Sequence, residues 1–158
     1  SQLQSVQSTL RKFGLSSLAD DVELKLNRAA EAAAPKTKQI LLDAITKMTL
    51  DDAKAIYSGP DDAATQYFKR ISTSDLMQTI KPVVDGTLNQ VGAIASYDTM
   101  MGKYKSLPFV PDVKANLSSH TTELALKGIF HYLAKEEAAI RQNPAKRTTD
   151  LLTKVFSK

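Results

Sequence analysis

The chain has no cysteine, no tryptophan and only two histidines, and five tyrosines and five phenylalanines are its entire aromatic content. Without cysteine there are no disulfides, thiolate metal sites or cysteine nucleophiles, while the compartment stays open, because secreted and cytosolic domains both occur without it. So few aromatics leave little on which bases or sugars can stack. No apolar run is long enough to span a bilayer, and Ser1 opens no signal-peptide pattern. A start at Ser1 rather than Met reads as a processed or trimmed chain, which leaves a lost N-terminal targeting segment open. Gly-rich phosphate loops, the G-x-S-x-G elbow and the ligand progression of a calcium loop are also missing.

What is present is a helical signal. Apolar residues recur at three- and four-residue spacing, with no long alternating or β-branched run. A chain of 158 residues suits one domain, 1–158, which buries roughly two-thirds of its unfolded surface. The first helix, 2–13, ends at Gly14 as a left-handed cap. Ser17 and Asp20 make a capping-box-like start for the second, whose Leu15, Leu18, Val22, Leu26, Ala29 and Ala33 form one stripe. The next, 35–48, is apolar around most of its circumference, which predicts a central, surrounded helix. Thr49 and Asp52 cap a short helix over 50–57, stopped by Gly59-Pro60. One helix is expected from Asp61 and another from 72–75, the latter kinked or interrupted by Pro82. Ile94, Tyr97, Met101 and Tyr104 face inward on a helix after Gly92. The longest runs over 119–142, and Asn143-Pro144 opens a last one docked by Leu151, Leu152, Val155 and Phe156. Between them 106–117 holds two prolines and reads as an extended strap held down by Phe109, Val110 and Val113. The expected architecture is all-α, an irregular single-domain bundle of about eight or nine helices.

Lys and Arg number 21 against 17 Asp and Glu, a net charge of +4, but the two signs are interspersed. Only Arg141, Lys146, Arg147, Lys154 and Lys158 make a locally basic end. That end reads as a solvated helix face or a helix C-terminus, which argues against nucleic acid as the partner. Binding of anionic lipid or nucleic acid through it stays as an alternative, with salt-sensitive affinity as its signature.

Several polar residues stand where a surface residue should not. On the longest helix Leu126, Ile129, Phe130, Leu133 and Ile140 define the inward stripe, Glu137 projects into its middle and Glu136 sits on its margin. A carboxylate facing a core must be paired, hydrogen-bonded, metal-bound or protonated. The structural partners expected are Arg28, Arg70 or Arg147, and the chemical alternative is a proton-transfer or metal-ligand role. Asp20, Asn27 and Glu31 share a second polar line that faces water if its helix is covered on one side, and with Arg28 forms a buried network if that helix is central. Asp61-Asp62 is a pair that suits a divalent cation, but acids at a helix start cap free N–H groups without one. His120 and His131 are too far apart for a helical two-His zinc motif and read as surface or capping residues. No cofactor or metal is implied.

The stretches NRAAEAAAPK (27–36), DAITKMTLDDAKAIYSGPDDAATQYFKR (43–70), SLPF (106–109) and NPAKRTTDLLTKVF (143–156) together resemble the bacterial domain-of-unknown-function family 4197, in the family's order and through nearly the whole chain. The resemblance implies a protein of mostly Gram-negative bacteria, commonly exported and often of lipoprotein type, with no established activity. It also marks Asn27, Arg28, Glu31, Asp61, Asp62, Thr65, Tyr67, Phe68, Glu136, Glu137, Arg147, Thr148 and Asp150 as matches to family motifs. The Asp61 helix start, Glu137 and the turn at Arg147 are expected to converge near the second helix, as a ligand pocket or a structural clasp. The role expected is a non-catalytic envelope protein, periplasmic or lipid-anchored through a segment outside this chain, that binds another protein, an envelope component or an apolar small molecule. The alternative from another class is an enzyme using Glu136 and Glu137, or Asp61 and Asp62, with a metal or water.

Overall fold

The computed structural model describes residues 2–111 and 116–146, and all regular structure in them is helical. Seven α-helices occur among the described residues: α1 (Gln2–Lys12), α2 (Ser16–Ala33), α3 (Thr37–Thr46), α4 (Leu50–Ser58), α5 (Ala63–Gln90), α6 (Ala93–Lys105) and α7 (Leu117–Gln142). Short 3-10 turns follow at Ala34–Lys36, which takes in Pro35, and at Pro144–Lys146. None of these helices is long and apolar enough to cross a membrane.

The count falls short of eight or nine because the segments expected to start at Asp61 and at 72–75 are one helix. Ser72-Thr73-Ser74-Asp75 looks like a helix start, yet Ser72 is buried on a four-residue ridge with Leu76, Ile80, Val84 and Leu88. Full burial of a large aliphatic side chain contributes roughly 1.5–3 kcal/mol, so four of them outweigh the ~3 kcal/mol that a proline costs inside a helix. Pro82 therefore stands within α5, on its exposed side. The helix expected after Asn143-Pro144 is a 3-10 turn as far as Lys146, with the Ala145 N–H donating to Asn143 Oδ1 at 3.0 Å, and the rest of that segment, Leu151, Leu152, Val155 and Phe156 included, lies outside the described residues.

Local punctuation follows the sequence in most places. Gly14 has φ 73°, and the amides of Gly14 and Leu15 close α1 onto the Arg11 and Leu10 carbonyls. At α4 the Thr49 hydroxyl accepts the Asp52 N–H at 3.1 Å while the Asp52 carboxylate accepts the Thr49 N–H at 3.2 Å, a complete capping box. The expected box at α2 is absent: Leu15 precedes the helix with no side-chain cap, and Asp20 pairs with Arg11 at 3.3 Å.

The chain divides into two compact units, Ser1–Lys36 with Met77–Ala125, and Thr37–Leu76 with Leu126–Lys158. In the first, α2 packs on α1 and α6. The fully buried Ala19, Ala29 and Ala33 join Val22 and Leu26 on the inward face of α2, beside Leu3, Val6 and Leu10 of α1 and Met100 and Tyr104 of α6. Ile94, expected on that face of α6, is largely exposed. The strap also departs from expectation, since Phe109 is wholly exposed, at φ 59°, rather than an apolar anchor, and Val113 lies outside the described residues.

In the second unit Ala44, Tyr67, Leu76, Leu126 and Phe130 are buried. Here α3 is not the central helix that its apolar circumference predicts. Only Thr37 and Ala44 are buried on it, while Leu42 and Ile45 are 44% and 50% exposed. Its covered side is tied to α5 by the Tyr67 hydroxyl, which donates to the Ala44 carbonyl at 2.9 Å.

Candidate functional site

Helix α5 begins at Ala63, so the amides of Ala64 and Thr65 lack the carbonyl four residues back that a helix interior would supply. Neither acid ahead of them fills the need. Asp62 accepts from the Gln66 side-chain amide at 2.9 Å, and Asp61 from that of Gln142. Glu137, from α7, does fill it. Its Oε1 accepts the Ala64 N–H at 2.8 Å, and its Oε2 accepts the Thr65 N–H at 2.7 Å and the Thr65 hydroxyl at 2.8 Å. One turn further along α7, Arg141 donates to the same Oε1 from Nε at 3.1 Å and Nη2 at 2.7 Å. Nη2 also donates to the Ile56 carbonyl at 2.7 Å, in the last turn of α4.

This pair, with side chains only 9% and 10% exposed, sets a carboxylate at the positive end of α5 and a guanidinium at the negative end of α4. Five donors meet two carboxylate oxygens, which offer about four lone-pair sites. No acceptor capacity on Glu137 is left for a substrate proton or an added ligand. The arrangement is a cap and an ion pair in one, joining α4, α5 and α7.

The sequence places Glu137 inward, and it is inward, but its arginine is not one of the three expected. Arg70 instead pairs with Asp52 at 3.0 Å and lies 5.5 Å over the Tyr67 ring, and Arg28 is exposed on α2. Arg147, Thr148 and Asp150 lie outside the described residues. The signal that finds Arg141 is the four-residue spacing of Glu and Arg on one helix, which puts the two side chains on one face. Asn27, Arg28 and Glu31 are all exposed, so their helix presents them to water rather than to a buried network. Of the expected group the structure brings together Asp61, Thr65 and Glu137, with Tyr67 and Phe68 following on α5 and touching edge to face at 5.7 Å.

Beside the clasp, Ala64, Phe68, Leu133 and Ile140 wall a recess of about 240 Å³, whose remaining lining is Thr65, Glu136, Glu137 and Arg141. Glu137 and Arg141 neutralise each other there. Glu136 is exposed and has no partner among the described residues.

Other titratable groups form ties that the sequence reading missed. Lys25 donates to Asp21 at 2.9 Å and to Ser96 at 2.6 Å, and the Ser96 hydroxyl donates to Asp21 at 2.6 Å. The hydroxyl and ammonium hold Asp21 below the ordinary carboxylate range. Asp85 is lowered in the same way by Ser118 and Lys81, and Asp52 by the hydroxyl and N–H of Thr49. Burial pushes His120 below its usual value, against a smaller opposing pull from Glu123. His131 is exposed, its ring edge to face with Tyr132 at 6.0 Å. Among the described residues no three His, Asp or Glu side chains gather as metal ligands.

The model of one family, described as a protein of unknown function (DUF4197), matches residues 1–157. No curated protein and no solved structure matches the chain.

Proposed function

Because the chain belongs to the DUF4197 family, whose description carries no activity, its role has to be read from its own site, and we propose that it is a non-catalytic binding protein whose apolar recess beside Glu137 receives a small molecule. The observation that carries this reading is the recess itself: four apolar side chains wall it, and the buried polar groups at its edge already satisfy one another. An enzyme built on Glu137 needs a lone pair or proton available to substrate, and five donors occupy that carboxylate. Asp61 and Asp62 are each engaged by a glutamine side chain. An envelope setting, periplasmic or lipid-anchored, is supported by the family resemblance and is part of the proposal.

The test is thermal unfolding with 1-heptanol, an alcohol of about the size the recess holds at roughly 30 Å³ per water-sized group. A ligand that binds the native state adds stability by mass action, so the melting temperature should rise and then level off as heptanol increases. Ile140→Trp, which fills the recess, should remove that rise. A monotonic fall in melting temperature, or a rise undiminished in Ile140→Trp, would overturn the reading.

A further inference from the structure

We infer that the outer face of α4 is a self-association surface, on which a second copy of this chain lays its own α4 antiparallel. The inference is independent of the recess, whose walls belong to α5 and α7. Among the seven described helices α4 alone has no buried residue. It is nine residues long, and isolated helices shorter than about 12–15 residues are marginal in water, so a helix of this length calls for a covering partner. Asp52, paired with Arg70, and Ile56, whose carbonyl meets Arg141, make its inward side. The opposite side carries Leu50, Ala53, Lys54 and Tyr57, all of them exposed, Leu50 at 81%. Just before it in the chain α3 likewise exposes Leu42 and Ile45.

The order of the four outer residues selects a second copy as the occupant. Their spacing of three, one and three is the same from either end. A two-fold axis between positions 53 and 54 therefore sets Leu50 opposite the second copy's Tyr57 and Lys54 opposite its Ala53, as a closed symmetric interface requires. Apolar meets aromatic at both ends, and in the middle the small alanine leaves room for the lysine stem. Charge agrees with this pairing. At about 100° per residue Asp51 falls on the Lys54 flank of the stripe, so each ammonium comes beside the second copy's carboxylate. Within one chain those two groups stand 4.0 Å apart with side chains 80% and 97% exposed, which leaves both open to a second copy. A partner of a single charge sign would meet like charge at one of them. One short helix face is small beside the ~800 Å² per partner of a standard interface, so the pairing is weak and concentration-dependent.

The chain has no cysteine, so single engineered thiols report the pairing directly. Positions 53 of the two copies lie beside the axis, offset by about 1.5 Å along the helices, within the Cα separation of roughly 7 Å that a disulfide tolerates. Positions 50 are about 10 Å apart along the same line. Under mild oxidation Ala53→Cys should form a covalent dimer roughly ten-fold or more faster than Leu50→Cys or Asn27→Cys, since a paired thiol meets its partner at an effective millimolar concentration. Sedimentation equilibrium of the unmodified chain should show the mean mass rising from one chain toward two with concentration, and Leu50→Asp should abolish the rise while leaving the melting temperature at low concentration unchanged. A mass of one chain up to about 1 mM overturns the inference. So does association undiminished in Leu50→Asp, which would place it on another face, or cross-linking of Leu50→Cys or Asn27→Cys as fast as that of Ala53→Cys.

Discussion

Glu137 shows how one side chain can decide a local fold. It is the acceptor for two first-turn amides of α5, so its replacement disturbs a helix start more than seventy positions away in the chain. Glu137→Gln keeps the shape but removes the charge and turns an N–H₂ group toward groups that are themselves donors. The expected loss is about 2–4 kcal/mol, the scale of losing charge-assisted hydrogen bonds and leaving a buried donor unmet. Urea denaturation measures it, and Arg141→Gln added to Glu137→Gln should cost less than the two single changes summed, because they share one interaction. Inward placement of Glu137 was legible from helical periodicity alone. Its partner was not, because Arg141 turns inward only once the Ile56 carbonyl of α4 comes to meet it, a contact between positions far apart in the chain. His120 gives a pH effect of definite sign. Its pKa is lowered by burial, so the unfolded chain binds more protons than the native one, and stability falls as pH drops below about 6.5. His120→Gln should flatten that slope between pH 7 and 5. The lowered Asp21, Asp52 and Asp85 favour the fold while charged, and their contribution is lost as pH falls below the ordinary aspartate value of 3.8.

Helix α5 runs unbroken through Ser72 and Pro82 because of its buried ridge. Pro82 is exposed and removes one backbone donor from the helix interior. Pro82→Ala should therefore stabilise the protein by about 1–3 kcal/mol, read as a higher urea midpoint with an unchanged slope. The junction of α4 and α5 has the opposite sensitivity. A Cβ on Gly59 would stand 2.6 Å from the Ala55 carbonyl oxygen and 2.7 Å from the Ala63 Cβ, and neither can swing aside without moving backbone. Since φ at Gly59 is −83°, the obstacle is space rather than conformation. Gly59→Ala should cost about 1–3 kcal/mol by the same denaturation measurement. The misread elements share a physical cause. A serine on a buried ridge looks like a cap, and an apolar helix at the surface looks like a buried one, because local pattern records what a residue is and not what comes to cover it. That is why the joined α5 and the half-covered α3 were not anticipated, while Gly14, Thr49 and Asp52, whose roles are settled within a few residues, were.

Helical content across the described residues was legible because period is a local property, and the family match over 1–157 agrees with the resemblance carried by four long stretches. The grouping of the chain into two units was not, since it arises when the chain returns: each unit takes one segment from early in the sequence and one from late. The recess depends on such a return, as α5 and α7 supply its walls from positions far apart in the chain. Phe109 adds a consequence of another kind. It combines a fully exposed phenyl ring with irregular backbone, whereas the ring of Phe13, in the turn after α1, is half-buried and the exposed Tyr57 and Tyr132 sit inside α4 and α7. A protease that cuts after aromatic residues needs an accessible side chain on backbone that no helix holds in place, so brief chymotrypsin digestion should cleave first between Phe109 and Val110. The pieces, 1–109 and 110–158, would separate α7 covalently from the rest while leaving Glu137 and Arg141 bonded to α4 and α5. They are expected to co-elute on gel filtration as a nicked two-chain protein, dissociating only in denaturant.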